Sequence, residues 1–182
     1  MVGPMSEITV RALGEEDWQD YRSVRLAALR ESPEAFVATL EEEQAFDESV
    51  WRDRMKRSER LVAEADGEMV GVVSIGQARE EGEDAEHVGE LFGLWVAPQY
   101  RGTGVATLLV EEGANEARRH GSTHLVYWVG TDNGRAVAFA SGIGFRPTDF
   151  RRPMGVHSAA DGEEEIAMIL SLHQDPGSLL RP

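Results

Sequence analysis

The sequence predicts an α/β fold, built on one mixed, mostly antiparallel sheet of about seven strands with helices on both faces. Three observations carry that expectation. Apolar runs of strand period outnumber helical ones and do not alternate with them one for one, which excludes a regular parallel βαβ array. The pair Asp66-Gly67 joins two such runs, and both residues tolerate positive φ, a strong hairpin signal. The 182 residues suit one domain over 1–182, with frayed ends at 1–6 and 174–182.

Ile8 and Val10 alternate with polar neighbours, so residues 7–11 read as the first strand. From Asp17 the period becomes helical: Trp18, Tyr21, Val24, Ala28 and Leu29 share a face, and Ser32-Pro33 ends the helix. Residues 34–47 read as a mixed connector whose acids form a solvated face or, alternatively, a cation-attracting rim. A second short helix follows over 47–57. Residues 61–65 and 69–77 form the hairpin, 79–86 a loop, and 87–96 a fourth strand in which Gly93 marks a bulge. A helix over 104–120 closes at Gly121, and 125–129 is the fifth strand. A short helix over 133–141, capped by Asp132 or Asn133, ends at Gly142. Phe145 opens a sixth strand, 151–161 is irregular, and Ile166, Met168 and Leu170 alternate in the last.

Composition narrows the function classes. The absence of cysteine removes disulfides, thiolate zinc sites and thiol nucleophiles. A net charge of -15 with no basic cluster argues against nucleic-acid binding. No apolar run reaches membrane-spanning length, and Met1-Val2-Gly3-Pro4 lacks the regions of a signal peptide, so the expectation is a cytoplasmic protein.

Residues 94–106, Leu-Trp-Val-Ala-Pro-Gln-Tyr-Arg-Gly-Thr-Gly-Val-Ala, lead from a strand through a glycine-bearing loop into a helix. Unpaired N–H groups at such a helix start, with the positive end of its dipole, make a phosphate cradle. A plain strand-to-helix turn is the alternative. The third glycine of a dinucleotide fingerprint is replaced by Thr107, and no Gly-Lys-Ser/Thr is present, so the two commonest nucleotide loops are excluded. His120 and His124 are spaced as a metal pair, but Gly121 breaks the helix between them.

The loop resembles the acyl-coenzyme A loop, Arg/Gln-x-x-Gly-x-Gly/Ala, of the GCN5-related N-acetyltransferases. Arg101, Gly104 and Ala106 match it, as do Gln99, Gly102 and Gly104 in a second register. Asn133, Ala136, Phe139, Gly144 and Phe145 match that family's second motif. The resemblance implies a sheet splayed between its fourth and fifth strands, with acetyl-coenzyme A as co-substrate and no metal. It implies that the backbone from Arg101 through Gly102, Thr103, Gly104 and Val105 to Ala106 holds the pyrophosphate. Leu94 and Val96 would pair with the pantetheine amides, and Asn133 would bond the same arm beside Phe139. Glu90 would be the general base, or else a solvent-exposed strand carboxylate. Phe36, Phe46 and Trp51 would wall the acceptor pocket, or simply fill the core. The family's tyrosine acid is replaced by Ala140.

The function so implied is transfer of acetyl to a primary amine of a small molecule, a cationic one included, by a monomer or homodimer. A non-catalytic acyl-coenzyme A sensor, a protein or peptide N-acetyltransferase, and an unrelated phosphate-binding module are the alternatives.

Overall fold

Residues 7–77, 87–153 and 164–172 are described by the computed structural model. Strand β1 (Thr9–Leu13) pairs antiparallel with β2 (Glu59–Ala65), and β2 with β3 (Glu68–Gln77). Asp66 and Gly67 both take positive φ, 52° and 80°, as the hairpin reading requires. Strand β4 (Val88–Val96) joins β3 antiparallel and β5 (His124–Gly130) parallel. Strands β7 (Glu164–Ser171) and β6 (Arg146–Pro153) complete the order β1-β2-β3-β4-β5-β7-β6.

Helices cover both faces. Helix α1 (Trp18–Glu31), the five-residue α2 (Leu40–Gln44) and α3 (Glu48–Arg57) lie on one, with Tyr21 and Trp51 buried beneath them. Helix α4 (Val105–Arg119) packs on the other, against β3 and its neighbours. Its approach depends on two glycines. A Cβ at Gly71 would come 2.9 Å from Leu109 Cδ1, and one at Gly113 2.9 Å from Ile75 Cδ1. Helix α5 (Gly134–Ile143) packs on β5.

Some boundaries differ from the sequence reading. The first strand runs to Leu13, because Ala12 and Leu13 find partners in Leu61 and Arg60. The connector contains α2, held by a capping box between Thr39 and Glu42. Helix α5 continues through Gly142 to Ile143; Gly144, at φ 121°, is the residue that ends it. Residues 151–153 belong to β6, since Arg151, Arg152 and Pro153 pair with β7. The loop placed at 79–86 and the rest of the irregular segment lie outside the described residues. No helix among the described residues is long and apolar enough to cross a membrane.

Candidate active site

Strand alternation and register bring Arg60, Ser74, Gly76, Glu90, Phe92 and Trp128 onto one face of the sheet. Between that face and helices α1 and α3 lies a cavity of about 640 Å³. Five arginines line it (Arg25, Arg54, Arg57, Arg60 and Arg152), against one carboxylate, Glu90, among the described residues.

The arginines are held differently. Glu43 is 1% exposed and takes Arg25 Nε at 3.0 Å and Arg54 Nη1 at 2.8 Å on one carboxylate oxygen. Burial alone would raise its pKa; the hydrogen bonds and charges of the two guanidiniums outweigh that and hold it below the usual carboxylate range. Glu43 is therefore neither a solvated face nor a rim, as the sequence reading had the connector's acids. Arg152 pairs with Glu165 and stacks on Trp128, 4.1 Å from the ring centroid. Arg60 is 5% exposed; it donates to Ser74 Oγ at 2.7 Å and to the Arg54 carbonyl at 3.0 Å. Its Nε is buried without a partner. Burial first, with the like charges of Arg54, Arg25 and Arg57 added, pushes the pKa of Arg60 down. Tyr21 and Phe92 lie under its guanidinium at 4.5 and 5.5 Å.

On β4 the sheet opens. Val88–Leu91 pair with His124–Tyr127, and the two strands pair no further. The cause lies two residues on. Opposite Val73 the fourth strand carries both Gly93 and Leu94, a bulge, and Gly93 takes φ 64°. A bulge bends its strand and increases the local twist. Beyond it, Ala97 N–H donates to the Val70 carbonyl at 2.8 Å, which makes Gly71 and Val96 a non-hydrogen-bonded pair. The N–H and C=O of Val96 consequently face away from β3, into the gap.

The loop after β4 is shaped by its glycines. Gly102 and Gly104 take φ 79° and 91°, the left-handed region, and nothing lies within 4 Å of a Cβ built on either. Gly104 caps α4 without a side chain, so no side-chain cap occupies the helix start. Arg101 turns back, its Nε donating to the Val96 carbonyl at 2.9 Å and Nη2 to Ser32 Oγ at 3.4 Å. Thr103 hydroxyl donates to the Tyr100 carbonyl. Val105 is buried in the core and Ala106 is half-buried.

A loop of left-handed glycines at a helix start, beside a strand edge turned into a gap, offers backbone N–H groups of the kind that bind phosphate. Comparison of the chain with known families identifies its family. Residues 13–145 match the model of the Acetyltransferase (GNAT) family. The chain belongs to that family. An uncharacterised N-acetyltransferase of Methanocaldococcus jannaschii is 26% identical over 139 residues, 75% of this chain and 60% of that protein. One from Archaeoglobus fulgidus is 34% identical over 104 residues, 57% of this chain and 65% of its own. The aligned stretch thus spans less than two thirds of either archaeal relative. A putative acetyltransferase of Salmonella typhimurium, solved with its cofactor acetyl-CoA, has the same fold, with a TM-score of 0.69 at 19% identity. The similarity covers 93% of this chain and 96% of that one.

Within this GNAT fold, Glu90 lines the cavity on the strand that forms one side of the gap. Leu94 sits on the bulge, Val96 at the gap, 101–104 on the loop, and Val105 and Ala106 at the start of α4. Asn133 caps α5, its Oδ1 accepting from Ala136 N–H at 3.1 Å. Phe139 packs half-buried against the core. Ala140 is fully buried. Phe36, Phe46 and Trp51 do not line the cavity. They form a layer behind it, with Arg25 over Phe36 at 4.7 Å and Arg54 over Phe46 at 4.9 Å. Tyr21, Phe92 and Trp128 are the aromatic walls. His120 meets Glu59 and Glu116 at 3.4 and 3.3 Å, an ion-pair cluster away from the cavity. The arginines were missed because they come from α1, α3, β2 and β6, with no spacing that joins them.

Proposed function

We propose that this GNAT protein is an enzyme that moves the acetyl group of acetyl-coenzyme A to the primary amine of a small molecule by direct attack. The observation that carries the reading is the Val96 N–H, turned away from β3 at the β4–β5 gap, beside the glycine loop and next to the cavity holding Glu90. Acetyl-coenzyme A supplies a thioester, whose carbonyl accepts an amine. The N–H groups of the loop from Arg101 to Ala106 hold the pyrophosphate, Leu94 and Val96 align the pantetheine arm as an extra strand, and the N–H of Val96 polarises the carbonyl. Asn133 Nδ2, its Oδ1 already used in the cap, bonds the same arm beside Phe139. Glu90 takes the amine proton, so that the C–N bond forms as the C–S bond breaks. An amine arriving as ammonium loses two protons: the first passes through Glu90 to solvent, and the second, lost as the C–N bond forms, balances the one the departing sulfur gains.

Ala140 leaves that last proton without the family's tyrosine. Tyr127 is the donor this reading assigns. It sits in the last β4–β5 pair before the gap, and its phenol carries a proton at neutral pH, as a tyrosine with a pKa at or above about 10 does. Tyr127→Phe keeps the ring and should lower kcat with little change in KM; an unchanged kcat removes Tyr127 from the step.

Thiol release from acetyl-coenzyme A over a panel of primary amines tests the activity. Release with at least one small amine, above hydrolysis without acceptor, supports the reading. Tight coenzyme A binding by calorimetry with no release from any amine would make the protein a sensor instead.

A further inference from the structure

We infer that the acceptor carries an oxyanion, a carboxylate above all, which docks on Arg57 and Arg60 while its amine faces Glu90. The inference rests on the acetyltransferase reading and names the substrate class of that site.

The first argument is charge. In a chain of net charge -15, the cavity gathers five arginines against one carboxylate among the described residues. Three of the five are compensated from behind, Arg25 and Arg54 by Glu43 and Arg152 by Glu165. Among the described residues, Arg60 has only neutral hydrogen-bond partners, Ser74 Oγ and the Arg54 carbonyl, and its Nε has none. A buried guanidinium without a counter-anion is costly, because it loses hydration that an anion would replace. Arg57, exposed at the cavity wall, enters none of the ion pairs among the described residues. Two uncompensated guanidiniums in a concave site fit an oxyanion, which their planar donor forks recognise.

The second argument is geometry. Arg60 pairs across β2–β3 with Ser74, and Glu90 across β3–β4 with Gly76, so the two lie on one face, two strands and one row apart. Ladder spacings put their Cα atoms about 12 Å from each other. Both side chains enter the same cavity of about 640 Å³, which takes a molecule of amino-acid size with its anion at the arginines and its nitrogen at the carboxylate. Gly76, between them, lets Ser58 and Phe92 pack close to the sheet: a Cβ there would come 3.0 Å from Ser58 Oγ and 3.3 Å from Phe92 Cε1. A polycation would meet the arginines as like charges, which argues against the cationic acceptor expected from the acidic connector.

The test measures kcat/KM for L-amino acids, their primary amides, aminoalkylphosphonates and polyamines, with acetyl-coenzyme A saturating. The best amino acid should exceed its own amide by about 10-fold to 100-fold, the range of a charged hydrogen bond. Phosphonates that surpass carboxylates would assign the oxyanion to that class. Arg57→Gln and Arg60→Lys should each reduce the acid-to-amide ratio by about 10-fold, with the second variant keeping the buried charge but losing the fork. A ratio near one in the wild type, or polyamines as the best acceptors, overturns the inference. If no acceptor releases thiol, the acetyltransferase reading fails, and calorimetry on the coenzyme A-loaded protein decides the inference alone. Acids binding at least 10-fold tighter than their amides (a difference of about 1.4 kcal/mol) sustain it; equal or absent binding overturns it.

Discussion

Glu43 concentrates much of the acceptor side's electrostatics in one carboxylate. Arg25 and Arg54 share it, and neither guanidinium would stay in place beside Arg60 if it were neutral. Glu43→Gln should destabilise the fold by about 3–5 kcal/mol, the cost of breaking a buried pair from one side. Urea unfolding reads that loss. Its pH dependence has a definite sign. The folded pKa lies below the unfolded one, so the stabilisation is present above about pH 4.3 and is lost as pH falls through the folded value. The gap between wild type and Glu43→Gln should therefore narrow in acid; a gap constant down to pH 3 would contradict the pairing. Glu90 makes a different prediction. In the proposed reaction the amine arrives protonated near neutrality, so Glu90→Gln should lower kcat/KM by about 10²-fold there. The deficit should shrink as pH rises past the amine's own pKa. A small deficit, flat with pH, would leave catalysis to positioning alone.

On the proposed function, the element that binds coenzyme A is the segment from the β4 bulge to the first turn of α4. Gly93 bends the strand, Val96 presents its backbone, and Gly102 and Gly104 curve the chain into the helix. Gly104→Val places a β-branched side chain at φ 91° and a Cβ where no protein atom now lies within 4 Å. Coenzyme A affinity by calorimetry should fall by about 10-fold or more, matching the roughly 1–3 kcal/mol of strain that a non-glycine residue carries there. Arg101→Ala should act more gently. Its guanidinium braces the loop on the Val96 carbonyl and Ser32, so its loss loosens the cradle without filling it. Equal, near-wild-type affinity for both variants would remove the loop from the binding site.

At the scale of the molecule, acidity is a surface property and the cavity is its exception. A net charge of -15 repels itself across the fold, while Glu43 and its arginines are screened far less than exposed charges. Raising salt from about 0.01 to 0.15 M shortens the Debye length from about 30 to 8 Å. If that removes about 1 kcal/mol of repulsion, Tm should rise by about 2–4 °C for a chain of this size. A Tm that falls with salt would mean that surface ion pairs outweigh the net repulsion.

The strand order, the four longer helices, the Asp66-Gly67 turn, the bulge at Gly93 and the glycine loop before α4 were legible along the chain. Each depends on local physics: side-chain period, the φ a residue tolerates, or a helix start. Helix α2 was legible too, in the Thr39 to Glu42 capping box, but it lay inside an acidic stretch read as connector. Only the tertiary structure decided that Glu43 is buried while its neighbour Glu41 stays exposed, because burial there depends on arginines 18 residues before it and 11 after. The same holds for the cavity. Arg25, Arg57, Arg60 and Arg152 share no motif and no period; sheet register and two helices bring them together, and a charge acquires its chemical meaning from the charges that packing places beside it.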